Sequence, residues 1–225
     1  MSPQRNMTPF GIIFDLDGTL LDTLDDVADA ANAALGEAGF EGHPVDAYRF
    51  FVGDGARMLI FRALPDEARK GKYIEQCLKR FLAHYQNGWK AKTKPCPGVP
   101  QMLANLSRRG ISLAVLSNKP HLMTKLCVEH FFPDCSFVRV LGHKENVPKK
   151  PDPGGALAIA AKFGLDPENI AFVGDSGVDM HTAANAGMLP VGAAWGFRPV
   201  EELLEAGAKR IVDNPQDLPA VVLGG

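Results

Sequence analysis

The apolar run Phe10-Gly11-Ile12-Ile13-Phe14 is too short for a helix and shows no alternation, the pattern of a strand buried on both faces. After it the spacing turns helical. Leu24, Val27, Ala28, Ala31, Leu35 and Ala38 form one apolar stripe, with Gly39 as a C-terminal stop. Ile74, Cys77, Leu78, Phe81, Leu82 and Tyr85 form a second, ending near Asn87-Gly88, and shorter helices fit 45–51 and 56–63. The segment 92–98, with Pro95, Pro97 and Gly98, breaks this pattern as linkers do. Beyond it, helices over 99–109, 122–130, 155–163 and 178–186 alternate with strands over 111–116, 137–140, 170–173, 190–193 and 210–212. Such alternation predicts an α/β fold, a doubly wound parallel sheet covered by helices on both faces. The first strand belongs to that sheet. The chain therefore divides into a core, 8–22 and 93–225, and an inserted helical domain, 23–92.

Composition narrows the class. With 225 residues, 46% hydrophobic and 22% charged, the chain is long enough for a sizeable globular core. A formal net charge of -2 leaves no global basic footprint, which argues against nucleic acid as a partner. Cys77, Cys96, Cys127 and Cys135 lack zinc-type spacing and read as reduced thiols. No apolar run is long enough to span a bilayer, and residues 1–6 read as a tail without a secretory core. The expectation is a cytoplasmic protein, monomer or homodimer, with no membrane partner.

Chemistry collects at the strand ends. Asp15 and Asp17 follow the first strand directly and precede Gly18-Thr19. Two carboxylates that close repel, so a cation between them or a proton on one is expected. Ser117-Asn118-Lys119 follows the 111–116 strand, Lys149-Lys150 lies on a loop, and Gly174-Asp175-Ser176-Gly177-Val178-Asp179 follows the 170–173 strand. Each group alone also fits a helix cap or a solvated turn. Their joint occurrence favours a ligand site, because open parallel sheets bind ligands beyond the carboxyl ends of their strands.

With these residues in place the chain resembles the haloacid dehalogenase superfamily of aspartate-dependent phosphohydrolases, a Rossmann-like core with a helical cap. Its four motifs match Asp15-Leu16-Asp17-Gly18-Thr19, Ser117-Asn118, Lys150-Pro151-Asp152-Pro153, and Gly174-Asp175 through Asp179. Val52-Gly53-Asp54-Gly55, Pro97-Gly98-Val99, Ser117-Asn118-Lys119-Pro120 and Trp195-Gly196-Phe197-Arg198 make it look most like the phosphoglycolate phosphatases. The resemblance implies Asp15 as nucleophile, Asp17 as general acid and base, and Ser117 and Lys150 as ligands of the transferring phosphoryl group. It implies Mg²⁺ held by Asp15, the Asp17 carbonyl, Asp175 and, directly or through a neighbour, Asp179. An unperturbed Asp15 is ionised and ready to attack, while closeness to Asp15 raises the pKa of Asp17.

Gly18 and Thr19 are expected to contribute backbone donors to substrate, Asn118 to bind it, and Gly53 to shape a close-approach loop over the site or a turn before a helix. In the cap, Arg57 is expected to contact a substrate carboxylate or phosphate, with Lys119 and Arg198 as weaker candidates at the rim and Lys149 adding positive potential. The resemblance implies a small phosphoester as substrate, 2-phosphoglycolate first. A phosphosugar mutase or a sugar-phosphate or pyrophosphate phosphatase shares these motifs. A phosphorylatable switch protein needs the acids but not so large a lid.

Overall fold

A computed structural model describes residues 10–223, so the tail expected at 1–6 lies outside the described residues. Six strands form one parallel sheet: β1 (Gly11–Phe14), β4 (Ser112–Pro120), β5 (Arg139–His143), β6 (Ile170–Gly174), β7 (Leu189–Ala193) and β8 (Arg210–Val212), in the order β5-β4-β1-β6-β7-β8. β1 pairs with β4 on one side and β6 on the other, so the winding reverses at its carboxyl end, where a ligand crevice opens. Successive β1 side chains face opposite cores. Ile12 and Phe14 pack with Val99, Leu103 and Leu106 of α4 (Val99–Arg108), while Ile13 packs with Ala156 and Ile159 of α6 (Gly154–Phe163). That two-sided burial explains the unbroken apolar run. α5 (His121–Phe131), α7 (Gly177–Asn185), α8 (Val200–Glu205) and α9 (Leu218–Leu223) complete the layers.

Between β1 and α4 the chain makes α1 (Leu24–Gly36), a 3₁₀ segment Val45–Phe50, α2 (Ala56–Ala63) and α3 (Gly71–Gly88). These share a hydrophobic core of their own, built on Leu24, Ala31, Leu35, Tyr48, Ile60 and Phe81. The chain enters and leaves this block through an antiparallel ladder of β2 (Leu21–Asp22) and β3 (Lys94–Pro95). The ladder lies where the sequence predicts a linker, because two-residue strands carry no readable period. Beside it, the buried Asp26 carboxylate accepts hydrogen bonds from the Lys92 amide (3.0 Å), the Thr93 amide (2.8 Å) and the Thr93 hydroxyl (2.7 Å).

Three boundaries differ from the periodicity. α1 ends at Gly36, and Gly39 (φ +81°) belongs to the turn behind it, where the Phe40 amide caps the Leu35 carbonyl. β5 starts at Arg139 rather than 137 because Phe137 packs its ring on Phe132 instead of pairing. β4 continues to Pro120 with a register shift after Leu116, so Ser117 to Lys119 lie inside an irregular strand end. α8 and α9 are too short to announce themselves. The Asp26 clasp gives a stability prediction. Asp26→Ala strands two buried or half-buried amides, and urea unfolding is expected to show a loss of about 2 kcal/mol.

Candidate active site

The two aspartates after β1 diverge to different lysines. Asp15 is buried, and its Oδ1 accepts hydrogen bonds from the Leu16 amide (2.7 Å) and the Lys150 ammonium (2.9 Å). Both donors converge on one oxygen, which leaves Oδ2 without a donor among the described residues. Asp17 Oδ1 accepts from the Thr23 hydroxyl and from Lys119 Nζ, each at 2.8 Å.

Lys150 is held on every side. Its Nζ also meets Asp179 Oδ1 at 2.7 Å and stands 5.7 Å from the Phe172 ring centroid. Its backbone is gripped by Asn118, whose Oδ1 accepts from the Lys150 amide (2.9 Å) and whose Nδ2 donates to the Lys150 carbonyl (3.1 Å). Asp179 in turn closes the first turn of α7: its Oδ2 accepts from the Ser176 amide (3.1 Å) and hydroxyl (2.7 Å). A side chain on Gly174 would put its Cβ 2.2 Å from Asp179 Cγ, so glycine ends β6 to make room for this carboxylate.

Asp175 completes the group. Its Oδ1 accepts from the Thr19 hydroxyl (3.1 Å) and its Oδ2 from the Phe197 amide (2.8 Å). Gly18 (φ +82°) lies so close that a Cβ there would reach within 2.2 Å of Asp175 Oδ2.

Asp15, Asp175 and Asp179 each present an oxygen within 4.8 Å of the others, a set that could hold a metal ion. Three buried carboxylates face one ammonium, so the cluster carries an excess of negative charge. Burial pushes Asp15 up to about 7: Lys150 lowers it, and the neighbouring Asp179 and Asp17 raise it further. Burial, then Asp179 and Asp15, push Asp175 up to about 8 against the pull of its two donors. Burial also works against the Lys150 charge, yet attraction to Asp15 and Asp179 leaves its pKa raised. An all-oxygen, anion-rich set of this kind suits a hard divalent cation such as Mg²⁺.

Above the cluster, the helical block roofs a cavity of about 60 Å³. Its floor includes Asp15, Asp17, Ser117, Asn118 and Asp175, and its roof includes Arg49, Gly53, Leu59, Phe81 and Tyr85. A family model described as haloacid dehalogenase-like hydrolase matches residues 12–193, spanning every one of these groups. The chain belongs to that family. It is 32% identical over 209 residues to the phosphoglycolate phosphatase of Psychrobacter arcticus, covering 90% of this chain and 91% of that one. It is 35% identical over 198 residues to the phosphoglycolate phosphatase of Pasteurella multocida, covering 85% and 88%. The crystal structure of a candidate phosphoglycolate phosphatase from Lactobacillus delbrueckii subsp. bulgaricus superposes with a TM-score of 0.91 at 31% identity, over 97% of this chain and 100% of that one.

In this haloacid dehalogenase-like hydrolase, Asp15, Asp17, Ser117, Asn118, Gly53 and Asp175 line one cavity, with Lys150 and Asp179 bonded to its floor. Other expectations need correction. Asp15 is not an unperturbed acid, because burial dominates its environment. Arg57 lies outside the cavity wall. Ala56 and Leu59 are the α2 residues that face the cavity, and Arg57, about 100° further round the helix than Ala56, forms an exposed pair with Glu75 (3.2 Å). The amides of Gly18 and Thr19 are spent on the carbonyls of Leu21 (2.7 Å) and Leu16 (3.3 Å), so these residues brace Asp175 rather than offer donors.

Lys119 is no rim residue: it is buried between Asp17 and the Tyr85 hydroxyl (2.7 Å). Arg198 donates to the carbonyls of Phe50 and Val52 (3.2 Å each), and Lys149 donates to the Asp54 carbonyl. Tyr85 was legible only as part of an apolar stripe; its polar tip was the missed signal. Nothing in the sequence separates Arg49, which does line the cavity, from Arg57.

Metal and protons should compete for this cluster. Asp15 and Asp175 have folded-state pKa values above their unfolded ones, so the metal-free protein holds protons that the unfolded chain releases. Their contribution to stability is present below about pH 4 and is lost as pH rises through about 7 to 8. A divalent cation replaces those protons. The rise in Tm on adding Mg²⁺ is expected to be small near pH 5 and largest near pH 8; equal rises at both would contradict this charge balance.

Proposed function

We propose that this hydrolase is a Mg²⁺-dependent phosphatase of small phosphorylated metabolites, with 2-phosphoglycolate as first substrate. Residues 23–92 act as a cap over the core formed by 8–22 and 93–225. The observation that carries this reading is the Asp15–Lys150 pair, a buried carboxylate with one oxygen held by an ammonium and the other unengaged. Asp15 Oδ2 attacks phosphorus as the bond to the leaving oxygen breaks, giving an aspartyl-phosphate. Asp17 gives its proton to the leaving alkoxide and then takes one from water, whose oxygen bonds phosphorus as the bond to Asp15 breaks. Lys150 and Ser117 offset the charge on the phosphoryl oxygens. Asn118 positions Lys150 and ties it to Gly53 of the cap (3.1 Å).

Asp15, Asp175 and Asp179 are the side chains that would hold Mg²⁺, with the Asp17 carbonyl. The ion supplies positive charge that lets Asp15 ionise and that neutralises the phosphate. The helical block covers the site, with Gly53, Leu59 and Phe81 in its roof, which supports a small leaving group. Relatives named for phosphoglycolate point the same way, and the buried thiols suit a reducing, cytoplasmic location.

Phosphate release from 2-phosphoglycolate, sugar phosphates, nucleotides and pyrophosphate tests this reading. Asp15→Asn is expected to lose at least about 10⁴-fold in kcat, and Asp17→Asn about 10²- to 10⁴-fold, with circular dichroism unchanged. Near-normal turnover in Asp15→Asn removes the covalent route. Absence of Mg²⁺-dependent turnover across the panel removes the phosphatase reading.

A further inference from the structure

The cavity wall carries three cationic side chains: Arg49, Lys119 and Arg198. Two have their partners within the protein. Lys119 donates to Asp17 at 2.8 Å and to the Tyr85 hydroxyl. Arg198 donates to the carbonyls of Phe50 and Val52 and pairs with Glu202 at 3.5 Å, so it fastens the cap loop to the core. Arg49 differs. Only its Nε is engaged, with Asp46 at 3.2 Å, and the Asp46 side chain is 88% exposed. Its Nη1 and Nη2 make no hydrogen bond among the described residues. An exposed pair of that kind holds its partner weakly, so it yields readily to another carboxylate.

Arg49 is also well placed. Its guanidinium lies 5.9 Å from the Phe197 ring centroid, and the Phe197 amide donates to Asp175. Arg49 therefore stands on the cap side of the wall, beside Phe197, in the same cavity that Asp15 lines from the core.

We propose that Arg49 is the specificity residue for the leaving group, reading a carboxylate on the substrate through its two terminal nitrogens. The planar, paired donors of a guanidinium match a carboxylate in a way that no other free group on this wall does. The remaining roof is largely apolar, with Val27, Leu59 and Phe81, so a second charge on the leaving group has one place to go. The inference rests on the phosphatase reading and deepens it: the preferred substrates are short phosphoesters with a carboxylate one carbon from the ester oxygen.

The test compares 2-phosphoglycolate with ethyl phosphate, which has the same chain without the carboxylate, on the Mg²⁺-loaded full-length enzyme. Wild type is expected to favour 2-phosphoglycolate. Arg49→Ala is expected to lose about 10- to 100-fold in kcat/KM for 2-phosphoglycolate, mainly through KM, and to stay within about threefold for ethyl phosphate. Arg49→Lys should recover part of the loss, and the exposed Arg57→Ala should leave both substrates unchanged. An equal loss on both substrates would mark Arg49 as a structural part of the cap and overturn the proposal, as would an undiminished preference in Arg49→Ala. If wild type itself hydrolyses ethyl phosphate as well as 2-phosphoglycolate, the substrate reading falls too. No turnover of either ester removes the phosphatase reading beneath both.

Discussion

The structure turns on one ammonium group. Lys150 Nζ bridges Asp15 and Asp179 beneath the cavity floor, and three elements exist in their present form to keep it there. Asn118 fixes its backbone, the glycine end of β6 leaves space for Asp179, and the first turn of α7 uses that same carboxylate as its cap. A single positive charge among three buried carboxylates leaves a deficit. The deficit appears as the upward shifts of Asp15 and Asp175, and a divalent cation held by this cluster would remove it. The fold thus stores a demand for positive charge at the spot where a phosphoryl group would add more negative charge.

The same residues bind the helical block to the core. Asn118 reaches Gly53, Lys149 reaches Asp54, Arg198 reaches Phe50 and Val52, and Lys119 reaches Tyr85. Nearly all of these ties land on the short stretch 50–54, and each comes from a residue in or beside a strand-end motif. Movement of the cap would therefore be felt at Lys150 and at Asp17 together, which links entry of substrate to the arrangement of the proposed catalytic pair. The Asp26 clasp and the β2–β3 ladder tie the chain where it crosses between the two blocks.

What the sequence made legible follows from how each feature is encoded. β1 and the long helices α1 and α3 were readable because burial writes a period of its own, and the acid pairs were readable because polar groups recur together at successive strand ends, where each alone has a bland explanation. The β2–β3 ladder, α8 and α9 were not, being too short to show a period. Orientation was the harder loss. Arg57 and Arg49 look alike in sequence, and only the packing of Ala56 and Leu59 against the cavity turns Arg57 outward. Lys119 and Tyr85 were separated by a long stretch of chain and met only in space. The raised pKa of Asp15 depends on burial, which no motif records.

The central claim is that Asp15 itself takes the phosphoryl group. Acid quench of the Mg²⁺-loaded enzyme during turnover of 2-phosphoglycolate, followed by peptide mass spectrometry, addresses it directly. The account predicts a transient phosphate adduct, about 80 Da, on the peptide carrying Asp15 and nowhere else, absent from Asp15→Asn. Phosphate release with no adduct on that peptide, or an adduct on Asp17 or Asp175 instead, would contradict it.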